Sequence, residues 1–458
     1  MADERSLIAS LFTLIENSIF FGDRMQESEF VTMMSPGQFI SPNLQEQKPN
    51  DAYIQYDVTN DCLDTSFIRK PLDATVAGKY EEIFKFRALP LKSLTADEQA
   101  KLAADKGIID QLQSAYETYL RVYNSADGDY QAALQNPDTD PRLLRDLRDA
   151  RDRAQRQLDS AGQQQKYESA YADFKYLQSA DPRVYFQDLD TRRTNYGPLT
   201  STRGQYFQTQ FDPKVADWNT AGWTHAVLDT KTISSDSFSR STQWGGGASL
   251  SLGLWHFGGQ GGHSETYSHD HSEFTELAAD LEYLRVRIMR PWLLPDVFGF
   301  RFWTWAKTHG FKFISDGGNL AASPPVRPIG DMPFLPAEMV VVRNVKLTAN
   351  FTSTDNTIIT SHVSGGASFG WGPFSISGSY SEDTSEQTFQ GTYNNGTITI
   401  AQPQIIAFLG PLTPRSPDPD PLLPWQSDAA FPPSSMREAY VAALRNIRQA
   451  DFIRNGRR

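Results

Sequence analysis

The period of apolar positions changes along this chain, and the changes divide it. From Leu7 to Phe21 apolar residues recur at helical spacing (Leu7, Leu11, Leu14, Ile15, Ile19), with Ser6 placed to cap the helix and Gly22-Asp23 to end it. Residues 52–58 alternate, as Ala-Tyr-Ile-Gln-Tyr-Asp-Val, which predicts a strand. Between 93 and 180 the helical period returns. Ala103, Leu112, Tyr116, Tyr119 and Tyr123 recur at threes and fours, and the pattern resumes with Leu143, Leu147, Ala150, Ala154 and Leu158 and runs on to Leu177. Its outer face is dense in Arg, Asp and Gln, so the segment predicts a helical hairpin joined near Asn124–Asp140, with a coiled-coil-like seam. From Asp181 the period falls to two. Tyr206–Phe211 and Thr224–Ile233 read as strands, and Met339–Phe351 is the clearest strand of all.

One stretch occurs twice. Gly246-Gly247-Ala248-Ser249 opens an alternating run to Phe257 and a polar return from Ser264 to Phe274; Gly365-Gly366-Ala367-Ser368 opens another to Tyr380, returning from Ser381 to Phe389. Each copy ends in an apolar strand, Leu284–Pro291 or Ile400–Pro411, and matched positions stay 117 to 119 residues apart. This predicts a duplicated β unit, with copies at about 225–293 and 340–411. The aromatic segment Asp296–Thr308 lies between them and is expected to form the centre through which they pack. A Pro-rich stretch from 411 to 433 predicts a stiff extended linker, and residues 434–458 an arginine-rich helix.

Composition narrows the classes. A chain of 458 residues with 39% hydrophobic and 21% charged residues can bury a core and is neither disordered nor a membrane bundle. A net charge of −12 argues against nonspecific nucleic-acid binding, which relies on Lys and Arg neutralising phosphates. The one cysteine, Cys62, precludes an intramolecular disulfide and reads as an inert thiol. The start, Met1-Ala2-Asp3-Glu4-Arg5, is unlike a signal peptide, so a cytoplasmic protein, or one released without such a peptide, is expected.

Candidate chemistry is sparse. Four of the seven histidines, His256, His263, His269 and His271, fall within sixteen residues. On a strand His269 and His271 share a side, so these two with His263 are the candidate ligands for zinc or another divalent metal; the competing reading is a polar strand that uses histidine, with no cofactor. Ser315-Asp316-Gly317-Gly318 lacks phosphate-loop spacing and reads as a tight turn. No nucleophile elbow, zinc-protease or kinase pattern occurs, and no catalytic residue is assigned. In lipid-facing hairpins apolar and polar side chains alternate. Leu250, Leu252 and Leu254 do so, as do Phe369 and Trp371 and then Phe374, Ile376 and Tyr380; the acidic returns do not. Paired hairpins with an intervening aromatic core resemble membrane-attack and aerolysin-type toxins in outline, with no motif of either.

The fold expected is α+β, mainly antiparallel, with two related Gly/Ser-rich β units. The expected divisions are a mixed segment 1–92, the helical hairpin 93–180, a duplicated β domain 181–410, the linker 411–433 and the basic C-terminal helix 434–458. The function expected is that of a non-enzymatic structural or binding protein that assembles with copies of itself through the β units and the C-terminal arm. The alternatives are a pore-forming or membrane-binding hairpin protein, and an enzyme without a recognisable motif.

Overall fold

Glycine- and proline-delimited β segments and one long polar helical stretch give two compact units. In the computed structural model the described residues are 15, 29–90, 96–135, 140–229, 255–258, 265–267, 277–319, 326–351, 353–365, 368–421 and 423–432. The predicted N-terminal helix, of which only Ile15 is described, and the predicted C-terminal helix 434–458 lie outside them. The larger unit comprises 1–88, 189–419 and 428–458; the smaller comprises 89–188 and 420–427. The class is α+β with antiparallel sheets.

The helices used below are α1 (Pro49–Asp57), α2 (Val76–Phe86), α3 (Ala96–Gln135), α4 (Pro141–Ser160), α5 (Gln164–Ala180) and α6 (Ser353–Gly365). The strands are β1 (Glu29–Phe39), β2 (Gln210–Asp212), β3 (Thr224–Asp229), β4 (Trp255–Gly258), β5 (Glu265–Tyr267), β6 (Leu277–Met289), β7 (Glu338–Ala349), β8 (Ser368–Trp371), β9 (Phe374–Glu382), β10 (Ser385–Gln390), β11 (Thr392–Asn394), β12 (Thr397–Ile400) and β13 (Gln404–Pro411).

The smaller unit is helical. α3 is 40 residues long, about 60 Å at 1.5 Å per residue. Its partners run antiparallel to it: Tyr130 lies under Arg151, Tyr116 stacks on Tyr167 at 4.1 Å, and Leu102 packs with Leu177. Asp140 caps α4 by accepting from Arg142 N, with Pro141 in the first turn. The return limb is two helices, broken at 161–163, where the sequence predicts one.

The larger unit is built on β7. Its neighbours are β6 on one side and β13 and β12 on the other; β1 lies beyond β13, and β2 and β3 flank β6. Val340, Val342, Val345 and Leu347 all face one layer, although simple alternation would turn the last two outward. A bulge at Asn344, which sits at φ +52, resets the phase. Met339 and Val341 face the opposite layer with Phe211, Trp218, Val286 and Phe408. The second sheet, β5-β4-β8-β9-β10, contributes Phe369, Trp371, Phe374 and Ile376 to the first layer.

One row of residues organises this unit. Asp229, Ala278, Thr348 and Thr397 are successive hydrogen-bond-register partners across β3, β6, β7 and β12. Asp229 and Ala278 are joined by 230–277, and Thr348 and Thr397 by 349–396. Each excursion is 48 residues long, and both are bounded by this one row of partners.

Three expectations need correction. Residues 52–58 fall mostly in the helix α1, because Pro49 occupies its first turn and Ala52, Ile54 and Gln55 bury one side. The two β segments do not pack through the aromatic centre; β6 and β7 hydrogen-bond directly. Trp292 instead meets Tyr80 of α2, and Thr304 and Trp305 bond to Ala430. The segment 411–433 is not a free linker. Thr413 N donates to Pro333 O, Ser416 exchanges bonds with Ile314 and Ser315, and Ser416 and Ala429 are buried. Proline removes donors from such a segment, but its neighbours' N–H and C=O groups remain to bond the aromatic loops.

Leu347→Ala should cost about 2–5 kcal/mol in urea unfolding, because it empties a fully buried site, whereas Lys346→Ala on the outward side of the same strand should stay within about 0.5 kcal/mol.

Candidate functional site

The sequence makes the second excursion a run of small and aromatic residues, and the fold ties it down at three places. At its root, β11 lies against β12 through a two-residue Asn395-Gly396 turn with both residues at positive φ. In its middle, Gln404 Oε1 accepts from Ser375 N at 2.8 Å, and Ser375 Oγ donates to Gly37 O. Gly37 lies in the segment of β1 where the register with β13 shifts between Met33 and Gln38.

The third tie is at the tip. Asp383, at φ +43 in the β9–β10 turn, donates its N–H to Asp51 Oδ1 at 2.7 Å and accepts from Asn50 Nδ2 at 3.2 Å. Arg203 Nε donates to its carbonyl at 3.0 Å, and Asn50 Oδ1 accepts from Thr202 N and Oγ1. Asn50 and Asp51 are the buried first turn of α1, so a helix start acts as a clasp on a hairpin tip.

Between the displaced part of β1 and this excursion lies a cavity of about 330 Å³, lined in part by Gln38, Arg69, Ser368, Ser377 and Ser379. Arg69 is held by Asp61 at 2.5 Å, and burial lowers its pKa from the usual arginine value.

The apolar alternation of the hairpin is satisfied internally. Phe369, Trp371, Phe374, Ile376 and Phe389 are at most 6% exposed. At about 1.5–3 kcal/mol each, roughly 8–15 kcal/mol of burial holds the excursion on the body. The opposing strand β10 is exposed except at Phe389. In the first excursion, β4 pairs with β8, placing His256 opposite Gly370 in the ladder.

The predicted metal ligands His263, His269 and His271 lie outside the described residues. Among the described residues, no three His, Cys, Asp or Glu side chains converge as metal ligands, and no helix is long and apolar enough to cross a membrane. Ser315–Gly318 is a tight turn, in which Asp316 Oδ1 accepts from Gly318 N and Ile329 N. Cys62 is buried, and that burial raises its thiol pKa far above the usual range.

The sequence reading missed one ionic cluster. Glu82 meets Lys79 at 2.8 Å and Lys312 at 2.5 Å, Asp331 meets Lys79 at 2.8 Å, and His309 Nε2 lies 3.0 Å from Glu82 Oε1 without hydrogen-bond alignment. Both lysines are neutralised within the cluster, as befits an internal tie between α2 and the loop 309–331. All five of these residues stand more than 200 positions from a partner, so no local motif marks them. Compared with known protein families, curated proteins and solved structures, the chain matches none.

Two outcomes follow from these ties. Burial, and then the positive Lys312, lower the His309 pKa. The folded protein therefore resists a proton that the unfolded chain accepts below about pH 6.5, and stability should fall as pH drops through that value. His309→Gln should flatten this slope in chemical denaturation between pH 7.5 and 5.5; an unchanged slope would assign it to other groups. Asn50→Ala should open the clasp, speeding amide hydrogen exchange in β9 and β10 while leaving β7 at the wild-type rate.

Proposed function

We propose that this is a non-enzymatic protein that assembles with copies of itself and delivers its two 48-residue excursions, as β-hairpins, into a membrane. The observation that carries this reading is the row Asp229–Ala278–Thr348–Thr397, which bounds two 48-residue excursions at one level of a continuous antiparallel ladder. If each excursion straightens, its two limbs extend the strands that flank it with no change of register below the row. A membrane-crossing strand needs about 9–11 residues, so 48 residues supply both limbs, a turn and a margin outside the bilayer.

The excursions read best as a duplication. Asp229 and Thr348, and likewise Ala278 and Thr397, stand 119 positions apart, the spacing of the two Gly-Gly-Ala-Ser starts. In both, an apolar outgoing limb precedes a polar return. The buried faces of β8 and β9 supply apolar side chains for lipid, and lipid replaces the burial lost on leaving the body. Glu382, Asp383 and Glu386 oppose entry while ionised. Desolvation near lipid raises carboxyl pKa values, so entry should be favoured at acid pH.

The test uses liposomes with an entrapped dye, and an environment-sensitive probe placed singly at Tyr380→Cys or Ser379→Cys, Cys62 being buried. Leakage should be faster at pH 5 than at pH 7.5. The probe at 380 should shift to apolar emission while that at 379 does not, as alternation demands. No leakage at either pH, with both probes unchanged, would sink the membrane reading and leave a hairpin-presenting binding protein.

A further inference from the structure

The direction of the strands points to how copies would join. β3, β6, β7 and β12 alternate in direction, and within this row among the described residues β3 pairs only with β6. At the opposite end, β12 is covered by β11, a strand of three residues. A second copy approaching head to tail would bring its β3 to this edge. Against β11 that strand would run parallel; against β12 it would run antiparallel and continue the alternation unbroken. Antiparallel pairing also lets every excursion leave on one side, next to its neighbour.

We propose, resting on the membrane reading above, that β11 is a removable strap over an assembly edge, and that the occupant of that edge is β3 of a second copy of this chain. Three observations support it. First, β11 belongs to the second excursion, so extension of that excursion removes it from β12. Second, it is bounded by points where the chain turns: Gly391, whose missing side chain would lie 3.0 Å from Ile376 Cγ2 and Thr399 O, and Gly396 at φ +78. Its one anchor of size is Tyr393, which donates to Asn356 Oδ1 of α6 and meets Phe351 edge to face at 6.0 Å.

Third, the two edges match in chemistry. With the row kept in register, Leu228 of the incoming strand comes beside Ile398, on the inward face where both are buried in their own copies. Val227, 62% exposed, comes beside Thr399 on the outward face, giving a β-branched pair. An exposed valine on an edge strand whose other side no described residue pairs with is otherwise a liability for a folded chain. The contact is heterologous, because β3 of one copy meets β12 of the next, so repetition closes a ring or continues as a filament.

The experiment separates this from the membrane reading. Thr392→Cys with Thr399→Cys should staple the strap to β12 under oxidation. The stapled protein should remain monomeric on liposomes and fail to release dye, and reduction should restore both. Separately, Val227→Cys protein mixed with Thr399→Cys or Thr397→Cys protein on liposomes should give disulfide-linked dimers between the two variants. A stapled protein that assembles and leaks like its reduced form would overturn the strap while leaving the membrane reading intact. Absence of the mixed dimers from a mixture that leaks would overturn the β3–β12 interface. A wild-type protein that does not leak overturns the membrane reading, and the mixed-dimer assay, repeated in solution at high protein concentration, then decides the interface by itself.

Discussion

The larger unit depends on one constraint: every strand entering or leaving β7's neighbourhood must keep the antiparallel register that β7 sets. β7 is buried on both faces in its first half and on one face in its second. The bulge at Asn344 reconciles these halves, holding Val340, Val342, Val345 and Leu347 in one layer. Without it, Val345 and Leu347 would face water, and the sheet would lose the surface on which the second excursion lies. The common row that bounds the two excursions follows from the same register.

The second excursion is held by interactions of two kinds. Apolar burial supplies most of the energy but is indifferent to partner, since another apolar medium can replace it. The polar ties from Asn50, Asp51, Gln404 and Arg203 are specific to this packing and have no counterpart in lipid. A hydrogen bond contributes about 0.5–1.5 kcal/mol net, so these few bonds act on the choice between arrangements more than on total stability. That division suits the membrane delivery proposed above, which needs a part stable in place and still able to leave.

Much of the secondary structure was legible, and the reasons differ by element. β7 was legible because a run of apolar and β-branched residues has few other uses. The helical stretch was legible from its period, although its break at 161–163 interrupts no apolar position. Residues 52–58 misled because seven alternating residues also suit a short helix, and Pro49 decides the matter from outside the window. The Pro-rich segment is bonded to aromatic loops about a hundred positions away, so composition marked the segment but not its seat. The spacing of 117 to 119 residues was visible, whereas the equal excursions were not, because they are defined by pairing across strands. The clasp was invisible for the same reason: Asn50 and Asp383 share no local pattern.

β1 and β13 pair with each other although they come from opposite ends of the described chain. At about 5–20 residues per second, a ribosome needs roughly twenty seconds to over a minute to make the chain between them. Throughout that interval β1 lacks its ladder partner and has only the bridge from Met33 to residues 67–69, and the aromatic faces of β8 and β9 emerge before the flank that ties them down is complete. Folding dominated by such distant pairings is slow, and it leaves a hairpin with apolar side chains exposed on a nascent polypeptide. Chaperone capture of the nascent chain, between emergence of Phe369 and completion of β13, is the step on which its yield in a cell should turn.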